Sequence, residues 1–160
     1  MMLLRAFIAF LALPVVIGGL VPWLLVDSDR WRMRGMLLGW PIVMFGIVVL
    51  LWCVRDFYVI GRGTLAPWDP PRKLVTVGLY NFMRNPMYIG VLGCLAGWTL
   101  LAGSPVLALY TLIVALAFHL RVVLYEEPTV SRLFGHEWTQ YRQKVNRWIP
   151  TFRRNIATPR

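Results

Sequence analysis

Charge is scarce in this chain. Of its 160 residues only 15% are Asp, Glu, Lys or Arg, against about 25% in a soluble globular domain. The deficit excludes an ordinary water-soluble fold, because the charges that remain lie between long stretches almost free of them. Cysteine is scarcer still. Cys53 and Cys94 are the only two, and both fall inside apolar stretches. Isolated thiols of this kind exclude a disulfide framework, and no spacing suggests a metal site, so no metal is expected. Acidic residues number 7 against 17 basic ones, a formal net charge of +10. In so apolar a chain that excess belongs with anionic lipid at one membrane face, and nucleic acid is not an expected partner.

What is present is hydrophobic surface, 58% of the residues. A bilayer span needs roughly 20 apolar residues, and four stretches qualify. The first covers residues 3–26. Its apolar run exceeds the roughly 7–15 residues of a signal-peptide core and shows no convincing cleavage site, so it is read as a retained span. Pro14 and Pro22 would bend it. The second covers 35–54, the third 86–102 and the fourth 105–125. Gly103, Ser104 and Pro105 leave room only for a tight turn, so spans three and four form a helical hairpin. From Val130 to Val145, Leu133, Phe134, Trp138, Tyr141 and Val145 mark one apolar helix face. Arg132, Arg142 and Lys144 suit a membrane-surface position for that helix. The fold class expected is therefore all-α: a polytopic membrane protein of about four transmembrane helices, with a C-terminal hairpin and an amphipathic cytoplasmic tail helix. Residues 1–60 form a two-span N-terminal segment, and 61–160 a core with hairpin and tail.

Lysine and arginine set the orientation. With an even number of spans, Arg5, Arg55, Arg62, Arg72, Lys73, Arg84, Arg121 and the tail basics share one side. Arg30, Arg32 and Arg34 alone occupy the other. The bias predicts both termini in the cytoplasm, with the bacterial inner membrane as the expected location.

Three polar clusters then share one membrane face. Gly61-Arg62-Gly63-Thr64 is either a flexible turn or a ligand-binding loop. Residues 74–90 place Tyr80, Arg84, Asn85 and Tyr88 around the start of span three. There the unpaired N–H groups of a helix N-terminus can receive a carboxylate; interfacial anchoring and capping by Asn85 are the plainer roles. His119, Glu126 and Glu127 close span four. His119 and Glu126, seven apart, are expected on one helix face. Two carboxylates at a helix C-terminus oppose the dipole and need a positive partner, either a protein arginine or a cationic ligand. The hairpin brings Arg84, Asn85 and Tyr88 beside Glu126 and Glu127.

The motifs occur in a recognisable order. Gly61-x-Gly63-Thr64 precedes Leu74-Val75-x-x-Gly78-x-Tyr80 and Arg84-Asn85-Pro86-x-Tyr88-x-Gly90. His119, Glu126-Glu127, Phe134-Gly135, Tyr141, Val145, Arg147 and Ile149-Pro150 follow. Over about its last hundred residues the chain resembles the integral membrane methyltransferases that include isoprenylcysteine carboxyl methyltransferases and phospholipid N-methyltransferases. The resemblance implies S-adenosylmethionine as cofactor, lined by Lys73, Leu74, Val75, Tyr80, Asn85, Pro86, Tyr88 and Glu126. Glu127, His119 and Arg84 are the expected catalytic residues, Glu127 or His119 serving as base for an amine acceptor. The expected partners are membrane lipids and a hydrophobic substrate: a phospholipid amine, a prenylcysteine carboxylate or a small thiol. Two positions depart from the isoprenylcysteine enzymes, which carry His at Asn85 and an arginine at Val122. Asn cannot titrate. A non-enzymatic membrane module, such as a transport subunit or assembly factor, is the competing reading. Oligomeric state stays open.

Overall fold

A computed structural model describes residues 16–56, 59 and 73–151. Gly61-Arg62-Gly63-Thr64 and the first half of the expected first span lie outside the described residues.

The regular structure of the described residues is helical, with one isolated bridge between Met83 and Asn146 and no strand. A π-helical turn over Val16–Leu20 leads into α1, Val21–Ser28. Then come α2, Gly39–Asp56, and a 3-10 turn over Gly78–Asn81. Pro86–Ala102 is α3, Pro105–Arg121 is α4, a second π-helical turn covers Val122–Glu126, and Glu127–Lys144 is α5. Two helices are long and apolar enough to cross a membrane: Gly39–Asp56 and the apolar part of Pro105–Lys144. Val16–Ser28 and Pro86–Ala102 are shorter apolar helices.

Helices α2 and α3 run antiparallel with their backbones nearly touching, because glycine lines both. A Cβ added at Gly46 would meet Cys94 N and Gly90 O, each at 2.6 Å; one at Gly97 would meet Val43 N at 2.7 Å. Small residues that let backbones approach are the usual packing device between membrane helices. Gly90, Gly93 and Gly97 serve that packing.

The α3–α4 hairpin forms as its sequence dictates. Proline begins each helix, where no N–H partner is lost. Gly103 ends α3 in the left-handed region at φ 59°, which suits glycine. Ser104 Oγ then accepts from Leu107 N at 3.0 Å, capping α4, and donates to Asp29. Thr99 and Thr111 hydroxyls meet at 3.2 Å between the two helices.

The helix of the expected second span starts later than the apolar pattern suggests. Helix α2 begins at Gly39 rather than 35 because the preceding residues pair with the hairpin end instead. Met33 N donates to Gly103 O and Met36 N to Leu100 O, both at 2.8 Å. Gly35 passes so close that a Cβ would lie 1.9 Å from Leu101 O.

The outward faces of α2 and α4 stay apolar. Phe45, Val48 and Leu51 on α2, and Leu109, Leu112 and Leu116 on α4, are all exposed. The tail helix is different. Its Trp138 and Tyr141 pack with Val145, Leu74, Val130 and Phe134, close to the face its spacing implies. Leu133 alone of that expected face is exposed.

Candidate active site

The start of α3, the end of α4 and the segment after α5 converge. Glu127 is their meeting point. Arg147 grips its carboxylate through Nε at 2.6 Å and Nη2 at 2.9 Å, a bidentate geometry that suits guanidinium. Arg84 Nη1 lies 3.0 Å from the same carboxylate. Its guanidinium also stacks over the Trp138 ring, 5.3 Å from the centroid, a favourable cation–aromatic arrangement. Burial pushes the Glu127 carboxyl up, but the Arg147 hydrogen bond and the charges of Arg84 and Arg147 outweigh it and hold it below the ordinary value. Burial lowers the Arg84 guanidinium, with Glu127 opposing.

Backbone contacts brace this clamp. Arg84 N donates to Asn146 O at 2.9 Å and Thr151 N to Phe82 O at 2.7 Å. Tyr141 OH donates to Tyr80 O at 2.7 Å. Asn85 does not cap α3: no side-chain cap bond forms, and its amide reaches Arg147 O at 3.3 Å. The first N–H groups of α3 are thus left without a side-chain acceptor from Asn85.

Beside the clamp lies an aromatic group around a second carboxylate. Tyr88 OH donates to Glu126 Oε1, and Arg121 Nε donates to the same oxygen at 2.9 Å. The Tyr88 ring sits 4.5 Å from Phe118 and 6.4 Å from Trp148, centroid to centroid. Trp148 Nε1 donates to His119 Nδ1 at 3.2 Å, which puts the proton of a neutral imidazole on Nε2.

The π-helical turn revises one expectation. His119 and Glu126 do not simply stack on one α-helical face. The wider turn over Val122–Glu126, closed by Glu127 N–H on Val122 O, advances fewer degrees per residue. Glu126 therefore pairs with Arg121, five residues back, and His119 turns to Trp148. Such π-turns are frequent at functional sites.

Of the expected site residues, Arg84, Asn85, Pro86, Tyr88, His119, Glu126 and Glu127 come together. Leu74 packs instead with Trp138 and Tyr141. Val75 and Tyr80 are buried against Val49 and Cys53 at the end of α2, and Lys73 is exposed. Sequence reasoning did not place Arg147, Trp148 or Phe118 in the site. The unpaired charge of two adjacent carboxylates was the signal for the arginine.

The phospholipid methyltransferase family matches residues 35–137. A human phosphatidylethanolamine N-methyltransferase is 38% identical over 113 residues, 68% of this chain and 51% of that protein. Protein-S-isoprenylcysteine O-methyltransferase B of Arabidopsis thaliana is 33% identical over 78 residues, 49% of this chain and 40% of that protein. A methanethiol S-methyltransferase of Pseudomonas deceptionensis is 25% identical over 151 residues, covering 83% and 54%. The chain thus spans about half the length of these relatives. No solved structure matches it.

Proposed function

The chain belongs to the phospholipid methyltransferase family, and from that premise we propose that it is an S-adenosylmethionine-dependent methyltransferase acting within the membrane on a lipid or another hydrophobic acceptor. The observation that carries this reading is the convergence at one end of the α3–α4 hairpin: Glu126 among Tyr88, Phe118 and Trp148, beside a Glu127 held by two arginines.

The donor set suits the cofactor. Glu126 offers a carboxylate to ribose hydroxyls or to a sulfonium. Tyr88 and Trp148 offer aromatic faces to an adenine or to a cation. Uncapped N–H groups at the start of α3 suit a carboxylate. S-adenosylmethionine, when bound, supplies an electrophilic methyl group for in-line displacement.

The chain's own residues align and enclose. Arg84 and Arg147 keep Glu127 ionised and lock three segments at one point, which is the positional precision such a transfer needs. Glu127 is in this reading a positioning residue: a carboxylate held by two guanidinium groups is a poor base. His119, its Nδ1 occupied by Trp148, orients the aromatic wall. The exposed apolar faces of α2 and α4 contact lipid, all four apolar helices span the bilayer, and both termini lie in the cytoplasm. An acceptor reaching the site from the bilayer is apolar at one end at least; the relatives named above act on a lipid amine, a prenylcysteine and a thiol.

Calorimetric titration of the detergent-purified protein with S-adenosylmethionine and S-adenosylhomocysteine tests the reading. Saturable binding of both is the expected result. No binding by folded protein, with lipid restored, would favour a non-enzymatic membrane module.

A further inference from the structure

Asp56 is a carboxylate in an unfavourable place. It is the last residue of α2 and only 5% exposed. A negative charge at a helix C-terminus is opposed by the dipole, and a buried carboxylate without partners is costly. Its only ion pair among the described residues is with Arg55, at 3.5 Å, whose side chain is 73% exposed. Its Oδ2 has no hydrogen-bond partner among the described residues.

The fold nonetheless makes room for this group. Gly78, at φ 57°, turns directly over it: a Cβ there would lie 2.0 Å from Asp56 Oδ2 and 3.1 Å from Trp52 Nε1. Any other residue would collide with the carboxylate. Cys53 and Tyr80 are its buried neighbours. The α2 surface leading to it, through Val48, Leu51 and Trp52, is apolar and exposed. Asp56 thus ends a helix whose outward surface is apolar, and in the proposed membrane arrangement that end lies toward the lipid headgroups.

Its position relative to the Glu126 group is informative. Met87 packs against the cluster of Cys53 and Tyr80, while the next residue, Tyr88, faces Phe118 and Glu126. Adjacent residues at the start of α3 therefore reach the buried neighbours of Asp56 and the Glu126 group.

Resting on the methyltransferase reading, we infer that Asp56 is the acceptor-side carboxylate, which binds the ammonium of a lipid amine and takes its proton. The carboxylate accepts one N–H proton and becomes a carboxylic acid. The freed nitrogen lone pair forms the new N–C bond as the methyl C–S bond breaks, and that bond's electrons remain on sulfur, leaving a neutral sulfide. Asp56 then releases its proton to water. A carboxylate acceptor would place like charge against Asp56, so an amine is the matching class.

The test uses full-length protein and the Asp56→Asn and Asp56→Glu variants. Three quantities are measured: thermal unfolding, S-adenosylhomocysteine affinity, and methyl transfer to phosphatidylethanolamine in phosphatidylcholine vesicles. A removed base costs on the order of 100-fold or more in rate. The expected result for Asp56→Asn is that loss, with cofactor affinity within about twofold and an unfolding temperature unchanged or raised, because an uncompensated buried charge has gone. Asp56→Glu should recover part of the rate. Transfer by Asp56→Asn near the wild-type rate overturns the inference, as does a lowered unfolding temperature, the mark of a purely structural residue. Wild-type protein that binds S-adenosylhomocysteine yet methylates no phosphatidylethanolamine also overturns it. Wild-type protein that binds no cofactor sinks the methyltransferase reading itself.

Discussion

Arg84 Nη1 lies 3.0 Å from Glu127 Oε1, across the gap between a residue two positions before α3 and the one that begins α5. Arg147, from beyond the end of α5, completes the clamp on the same carboxylate. Three segments distant in sequence are fixed by one side chain. Breaking one member of a buried ion group leaves the others uncompensated, so the clamp has a measurable signature.

Glu127→Gln should lower stability at pH 7 by about 3 kcal/mol, the low end for removing one partner of a buried pair. The pH dependence has a definite sign. The carboxyl is held below its ordinary value of 4.5, so its contribution is complete above that pH and is lost as pH falls through the lower folded-state value. Unfolding temperatures measured in detergent from pH 3 to 7 should show the wild-type advantage over Glu127→Gln shrinking toward the acid end. A constant difference would mean that Glu127 does not titrate as an arginine-held carboxylate.

Glu126→Gln should weaken S-adenosylhomocysteine binding about tenfold, near 1.4 kcal/mol, and leave the unfolding temperature close to wild type. The amide can still accept from Tyr88 and Arg121 but carries no charge for a cationic or hydroxyl-bearing ligand. Calorimetry decides the matter: equal affinity in the two proteins removes Glu126 from the cofactor site.

The glycine seam gives a graded prediction. Gly46→Ala drives a methyl against backbone at 2.6 Å, whereas a Cβ at Gly93 meets Gly46 Cα at 3.3 Å and one at Gly18 meets nothing within 4 Å. Overpacking of a tight contact costs about 1–3 kcal/mol. The fraction surviving size-exclusion chromatography should follow the order Gly18→Ala, Gly93→Ala, Gly46→Ala, from most to least. Equal survival would mean that α2 and α3 do not meet at these glycines.

How far sequence reaches is visible in particular elements. Helix α3 and its turn were legible because proline and glycine act locally: Pro86 starts the helix and Gly103 ends it. The approach of Arg84 and Tyr88 to Glu126 and Glu127 was legible because a three-residue turn dictates antiparallel neighbours. The start of α2 was not, since Gly35 is displaced from the helix by contact with Leu101, remote in sequence. The π-turn at Val122–Glu126 was hidden too: nothing in those five residues separates it from ordinary helix, and its effect is to exchange the partners of His119 and Glu126. The burial of Asp56 was not legible either, because it depends on Gly78, remote in sequence.

Topology is the last point open to direct test. The clamp ties the segment before α3, the start of α5 and the segment after α5 together at one end of the α3–α4 hairpin. The proposed arrangement puts Arg30 outside and Lys144 in the cytoplasm. Both positions are exposed or near the surface, whereas the native thiols Cys53 and Cys94 are buried and should label slowly. In intact cells, Arg30→Cys should react with a membrane-impermeant maleimide, and Lys144→Cys only after permeabilisation. An even number of spans separates neither terminus from the clamp, so a tag at each end should be protected together. Labelling of Arg30→Cys and Lys144→Cys from the same side would leave an odd number of crossings between them impossible, and the four-span arrangement would fall with it.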